Sequence, residues 1–426
     1  MTHFGILCPT ASGHINPLLP LGKELQKRGH KVTCFLTLDA EEMVQAAGLD
    51  FQAIAPDQYP KGTSAKNLAE IGQLQGTAAV RRTVQLVTNS TATLFQTIPQ
   101  EMRRLGIDAL IVDQVSPSGG TIAEKLAIPF VSFAGALLLN RDLLIPPFMT
   151  TWDYNPSFIG VIRNKIGYKL LDSLTRPLNE LINQQRQEWG LTPHQNINQR
   201  YSPLAQISQQ PVEFEFPRPN LPAHFHFTGP FHDSSTRKTI PFPYEKLTGQ
   251  PLIYASLGTI QNRLQSAFNA IAEACADLPV QLVLSLGNTD SNIQITTKNA
   301  LVVPYAPQLE LLTRASLTIT HAGLNTTLES LAQAVPMVAI PIANDQPGVS
   351  ARIKWSGTGE VIPISRLEVP RLRKAIEKVL SVPSYRENSL RMQKAMQKTG
   401  GVKMAADIVE KAISTSQPVL SLHSGV

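Results

Sequence analysis

The sequence predicts an α/β protein in which two doubly wound parallel-sheet domains face each other across a central cleft. Three observations lead there. The chain has 426 residues, more than one typical domain holds. Short β-rich runs alternate with helical periodicity in both halves, the pattern of parallel strands joined by crossover helices. Between the halves, GPFHDSSTRKTIPFPYEKLTGQP is rich in Pro, Ser, Thr and Gly, as interdomain linkers are.

Taken in order, the first half should hold strands at His3–Cys8, Lys31–Leu36, Phe51–Ile54, Ala109–Asp113 and Phe130–Phe133. The helix after the first strand is expected to start near Pro17, a residue suited to a first helical turn, and to end at Gly29. In the second half the strands fall at Leu252–Leu257, Gln281–Ser285, Leu301–Val303, Leu317–Thr320, Met337–Pro341 and Glu360–Ile364. Helices around Arg366–Leu380, Tyr385–Lys398 and Lys403–Ile413 close the chain. The division that follows is a first domain over 1–230, a linker over 231–250 and a second domain over 251–400. A C-terminal helix at 401–414 is expected to pack back on the first domain. A disordered tail is expected over 415–426, where periodicity is lost.

Composition narrows the class. Hydrophobic residues are 42% and charged residues 16%, enough apolar material for two cores and no signature of disorder. The net charge of +6 is dispersed, without a long basic run or zinc-finger spacing, so nucleic acid is not an expected partner. Cys8, Cys34 and Cys275 lie far apart and form no C-x-x-C pair, which points to a reducing cytoplasm. MTHFGILCPTASGH has no basic segment before its short apolar run, so a first strand is expected there and no signal peptide.

Ligands of doubly wound sheets bind beyond the carboxyl ends of the strands, and the informative residues follow strands here. TITHAGLNTTLES (318–330) runs from a strand into a helix, whose first N–H groups and positive dipole end attract phosphate. His321, Gly323, Asn325 and Thr326 sit in that turn, although any one of them alone reads equally as a cap or a packed histidine. YASLGT (254–259) offers Ser256, Gly258 and Thr259 as further phosphate donors, or an ordinary turn. Tyr305 offers a flat face for a base and Gln308 an amide. Glu329, one turn or so beyond Asn325, is a carboxylate suited to ribose hydroxyls. Asp345 and Gln346 can hold vicinal hydroxyls of a sugar, or make turn chemistry. In the first half His14 follows the first strand, and its imidazole could take a proton from a hydroxyl with Asp113 orienting it. The same two residues read as readily as a packed loop histidine and a strand-end turn residue.

P-Q, H-A-G-x-N-T, E, P and D-Q over Pro307–Gln346 together resemble the nucleotide-sugar signature of family-1, UDP-dependent glycosyltransferases. The N-terminal half is similar too. That family has the GT-B fold of two Rossmann-like domains. The resemblance implies that Tyr305 stacks on uracil and that Gln308 and Glu329 meet the ribose. It implies Ser256, His321, Gly323, Asn325 and Thr326 at the diphosphate, Asp345 and Gln346 at the hexose, and His14 with Asp113 as the catalytic pair. Many relatives carry Trp where this chain has Tyr305, and a second His where it has Arg314. PIANDQPGVSARI and HFGILCPTASGH are most similar to carotenoid (zeaxanthin-type) glucosyltransferases, then to macrolide glycosyltransferases.

The expected activity is therefore inverting transfer of a hexose, glucose from UDP-glucose, to a hydroxyl of a hydrophobic acceptor such as a carotenoid. A macrolide, other polyketide or lipid acceptor is the alternative, and a non-catalytic nucleotide-sugar-binding protein a second one. No cofactor is expected beyond the UDP-sugar co-substrate. No two Asp residues have D-x-D spacing, so the sequence does not require a metal. Residues 133–171 mix long apolar side chains with Arg163, Lys165 and Lys169, which suggests peripheral contact with the cytoplasmic membrane face as well as ordinary core helices.

Overall fold

The computed structural model describes residues 1–72, 74, 76–232, 240–258, 264–287, 295 and 300–421. The first domain is built on β1 (His3–Leu7), β2 (Lys31–Leu36), β3 (Asp50–Ala53), β4 (Ala109–Asp113), β5 (Phe130–Ala134), β6 (Gln206–Ser208) and β7 (Phe225–Phe227). They form one sheet in the order β3-β2-β1-β4-β5-β6-β7, parallel throughout. The second domain holds β8 (Leu252–Ser256), β9 (Gln281–Ser285), β10 (Ala300–Val303), β11 (Ala315–Thr320), β12 (Met337–Ala339) and β13 (Gly359–Val361). Their order is β10-β9-β8-β11-β12-β13, again all parallel.

Helices cover both faces of each sheet, so the central strands are apolar on both sides. Along β1 and β4, Phe4, Ile6 and Ile111 enter one core with Leu18 and Leu21, while Leu7, Leu110 and Val112 enter the other with Phe95 and Ile98. The chain order reverses between β1 and β4 and again between β8 and β11. A reversal opens a crevice at the carboxyl ends of its two strands. These crevices are where residues 14, 113, 256 and 321 lie.

Four expectations are corrected. β6 and β7 were not foreseen, being three residues each with Gln206 and Ser208 among them, too short and polar for a periodic signal. The first helix begins at Ser12, not Pro17, so His14 lies in its first turn and not in a loop. Pro17 inside a helix leaves the carbonyl of Gly13 without its i+4 N–H. Here that carbonyl accepts a 2.8 Å bond from Asn325 Nδ2 of the other domain, which satisfies it. The expected tail is ordered through 421. Val419 is buried, its N–H donates to Leu204 O at 2.8 Å, its carbonyl accepts from His226 Nε2, and Ser421 N–H donates to Ala223 O. A single apolar residue reaching exposed backbone edges carries no sequence pattern. Finally, within 133–157 Phe133, Leu137, Leu138 and Ile145 are buried and Leu143 is exposed, so only part of the 133–171 stretch is free to meet a membrane surface.

The helix Gly401–Thr415 lies against the Ser12–Lys27 helix, adding Ala405, Ala406, Val409 and Ala412 to the first core. Arg28 bonds to both Asp407 and Glu410. The chain thus passes between domains twice, around 231–250 and around 398–401. The two passages touch: Gly401 N–H donates to Thr228 O at 2.7 Å, and Thr399 lies against Gly229. Of the expected linker, Phe231 belongs to the first core and Phe242, Tyr244 and Leu247 pack on the second, while 233–239 lie outside the described residues.

Candidate active site

His14 Nδ1 lies 2.9 Å from Asp113 Oδ2, with the imidazole one-fifth exposed and the carboxylate fully buried. The other oxygen, Oδ1, accepts from Val115 N–H at 3.0 Å. The carboxylate is thus held on both sides, the proton is kept on Nδ1, and Nε2 is left as the basic atom. Burial pushes the His14 pKa down, but the charge and hydrogen bond of Asp113, with the charge of Asp345, carry it net above the ordinary 6.5. The close approach depends on Gly135, just past β5. A Cβ there would lie 2.5 Å from Asp113 Oδ2 and 3.3 Å from His14 Nδ1.

The second domain meets this pair directly. Asn325, near the start of the Leu324–Ala332 helix, bonds Gly13 O through Nδ2, while its Oδ1 accepts from Gln209 Nε2 at 2.7 Å. Gln209 Nε2 also donates to Gly135 O at 3.0 Å. One buried amide therefore ties the turn beside the imidazole to the opposing helix start. Asp345 Oδ2 accepts from Leu137 N–H at 3.1 Å, two residues beyond Gly135. The imidazole, its carboxylate and a helix N-terminus aimed at them from the other lobe share one crevice. A helix start supplies unpaired N–H groups and partial positive charge, so this crevice favours an anion opposite a base.

A family model described as UDP-glucoronosyl and UDP-glucosyl transferase matches residues 7–400. The chain belongs to the UDP-glycosyltransferase family. A zeaxanthin glucosyltransferase of Pantoea ananas is 34% identical over 99% of this chain and 98% of its own. A zeaxanthin glucosyltransferase of Pseudescherichia vulneris is 32% identical over 98% and 100%. The crystal structure of the kitacinnamycin glycosyltransferase aligns with a TM-score of 0.76 at 20% identity, over 97% of this chain and 99% of that one. This likeness shows the shared two-domain GT-B fold.

In this glycosyltransferase His321, Gly323, Gln308, Thr326 and Glu329 gather at the same helix. His321 follows β11 directly, and its ring fills the space over Gly258 and Gly323, where a Cβ would come within 2.7 Å of it. Burial holds its imidazole down to about 4, against a smaller upward pull from the Ser256 backbone, so it is neutral at pH 7 and donates from one ring nitrogen only. Ser256 ends β8, with its hydroxyl accepting from Gly258 N–H at 3.3 Å. Thr259 lies outside the described residues. Between His321 and Gly323, Ala322 has φ +65° and is fully buried, a left-handed turn held by its surroundings.

Gln308, Thr326 and Glu329 form a cluster. Gln308 Nε2 donates to Glu329 Oε2 and to Thr326 Oγ1, and its Oε1 accepts from Tyr254 Oη at 3.0 Å. Tyr305 stands 40% exposed three residues before Gln308. Gln346 turns its carbonyl oxygen to the N–H groups of Ile342 and Ala343, both at 2.9 Å, so only its NH2 remains to donate elsewhere. Gly13, Gly135, Leu137 and Gln209 were missed by the sequence. Three of the four act through backbone atoms, which carry no residue-type signal. Gln209 in the run SQQP resembles any surface glutamine.

Proposed function

We propose that the protein transfers a hexose, glucose from UDP-glucose, to a hydroxyl of a hydrophobic acceptor such as a carotenoid, with inversion at the anomeric carbon. The observation that carries this reading is the His14–Asp113 pair facing the start of the Leu324–Ala332 helix across one crevice. His14 Nε2 takes the proton from the acceptor hydroxyl while its oxygen attacks the anomeric carbon. A glycosidic C–O bond forms, the bond from that carbon to the diphosphate oxygen breaks, and UDP departs from the opposite face. Asp113 keeps the tautomer and stabilises the imidazolium.

Negative charge grows on the departing diphosphate. Preorganised donors there act in the transition state more than in the ground state. His321, the Gly323 backbone, Thr326, Ser256 and the second N–H of Asn325 are the donors assigned to this role, and Thr259 is assigned with them. Tyr305 is assigned to stack on the base, Gln308 and Glu329 to the ribose, and Asp345 and Gln346 to hexose hydroxyls. An apolar acceptor also implies peripheral contact with a bilayer on the cytoplasmic side. Among the described residues no helix is long and apolar enough to cross a membrane.

Incubating the purified protein with UDP-glucose and a panel of carotenols and polar alcohols tests the reading by mass spectrometry. A carotenol should gain one hexose, and His14→Ala should lose at least about a hundredfold of turnover while still binding UDP. Transfer to polar alcohols alone would overturn the acceptor class, and undiminished turnover of His14→Ala the mechanism.

A further inference from the structure

We propose that the first turns of the Phe158–Glu188 helix dock the protein on an anionic lipid bilayer. This deepens the reading of an apolar acceptor and rests on it. The inward side of this helix buries Gly160, Asn164, Tyr168, Leu178, Ile182 and Arg186. Its outward side begins with Phe158 at 79% exposed, Ile159 at 76%, Ile162 at 42%, Ile166 at 55% and Leu170 at 63%. At about 100° per residue these five share one arc of roughly 120°. A surface helix normally turns polar residues that way, and single exposed apolar residues are ordinary, but an aligned stripe of five is not.

The same helix supplies its own control. Farther along the same arc the exposed positions become Ser173, Arg176, Pro177, Glu180 and Gln184, with Arg176 paired to Glu180. The apolar character therefore stops partway along one continuous surface, as if only the first turns met an apolar phase.

Charge selects the occupant. Lys165 is exposed beside the stripe and Lys169 within its arc, and Arg163 adds a third cation. No acidic residue occurs over 157–171, while the flanking Asp153 and Asp172 are engaged by Lys354 and Arg141. A second copy packed on the stripe about a two-fold axis would set these cations near their own equivalents, with no carboxylate between. Anionic headgroups instead accept the lysines while the stripe enters the acyl boundary, the arrangement of interfacial helices. The location fits the chemistry. The segment that leaves the imidazole at Gly135 and bonds Asp345 at Leu137 runs on through 157 into this helix, so bilayer and crevice adjoin one stretch of chain.

The test is cosedimentation of the full chain with vesicles of phosphatidylcholine alone and of phosphatidylcholine containing phosphatidylglycerol. Wild type should partition to the anionic vesicles and weakly to the neutral ones. Ile162→Ser/Ile166→Ser and Lys165→Gln/Lys169→Gln should each lose at least about tenfold of that partition, with unchanged thermal unfolding and unchanged turnover on a water-soluble alcohol. Equal partition of wild type and both folded variants, or none by wild type, would overturn the docking surface. A dimer that Ile162→Ser/Ile166→Ser converts to monomer, without vesicle binding, would overturn it in favour of a second copy. Vesicle binding with no sugar transfer to any apolar alcohol would leave the docking surface standing and remove the proposed acceptor.

Discussion

His14 has opposing demands placed on it by its surroundings. Burial lowers its proton affinity, and the Asp113 carboxylate together with the charge of Asp345 raises it to a net upward shift. A base must be unprotonated, so the acid limb of kcat/KM should rise through an apparent pKa above the ordinary 6.5. Asp113→Asn removes the larger upward pulls and leaves burial opposed only by the charge of Asp345, so the limb should move to lower pH while the plateau falls about 10²–10⁴-fold. A pH–rate profile of both proteins reads the two effects apart, and a limb that stays in place would show that Asp113 does not set the proton affinity. Stability runs the other way from activity. With the folded pKa raised, the proton-linked contribution of His14 is complete below its unfolded value and is lost as pH rises through the folded one.

At the scale of elements, the long apolar strands were readable because burial on both faces leaves a continuous run, as in ALIVD of β4 and QLVLS of β9. β6 and β7 join the edge of a sheet already formed, and their neighbours hold them more than their own composition does. The candidate site divided along the same line. Side chains such as His14, Asp113, His321 and Asp345, which end or follow strands in the chain, are visible by type and position, whereas the cross-domain partners of Asn325 and Asp345 include the backbone atoms of Gly13 and Leu137. The start of the first helix shows why. Pro17 looked like a helix opener, but its missing N–H serves to expose the Gly13 carbonyl to Asn325. Pro17→Ala restores a competing N–H, so the Asn325 amide should lose its acceptor. The expected result is a several-fold weaker Kd for UDP by calorimetry, with a folding stability changed by no more than about 1–2 kcal/mol. Unaltered UDP affinity would mean that this carbonyl does not steer Asn325.

At the scale of the molecule, the two lobes are joined by more than the crevice. Arg352 bonds Glu215 through Nε at 2.9 Å and through Nη2, with both side chains about 2% exposed or less. Arg218 Nε stands 3.2 Å from the same oxygen, and Gln210 Nε2 donates to the other at 2.7 Å. Burial alone would raise the Glu215 pKa, but the two guanidinium groups hold it at about 2. Its contribution to stability is therefore present above the ordinary carboxylate range and is lost as pH falls towards about 2. Beside it Tyr154, Phe216 and Trp355 pack ring to ring across the junction. Arg352→Met leaves the carboxylate buried with half its compensation and should cost about 3–5 kcal/mol in denaturant unfolding. A loss below about 1 kcal/mol would mean that water or Arg218 replaces the missing partner.

The paired passages of chain at Thr228–Gly229 and Thr399–Gly401 run side by side, bonded at Gly401 N–H to Thr228 O, so that both tethers between the lobes cross at one place. A single tether would let the lobes swivel freely, but two tethers bonded side by side confine them to a swing about one line.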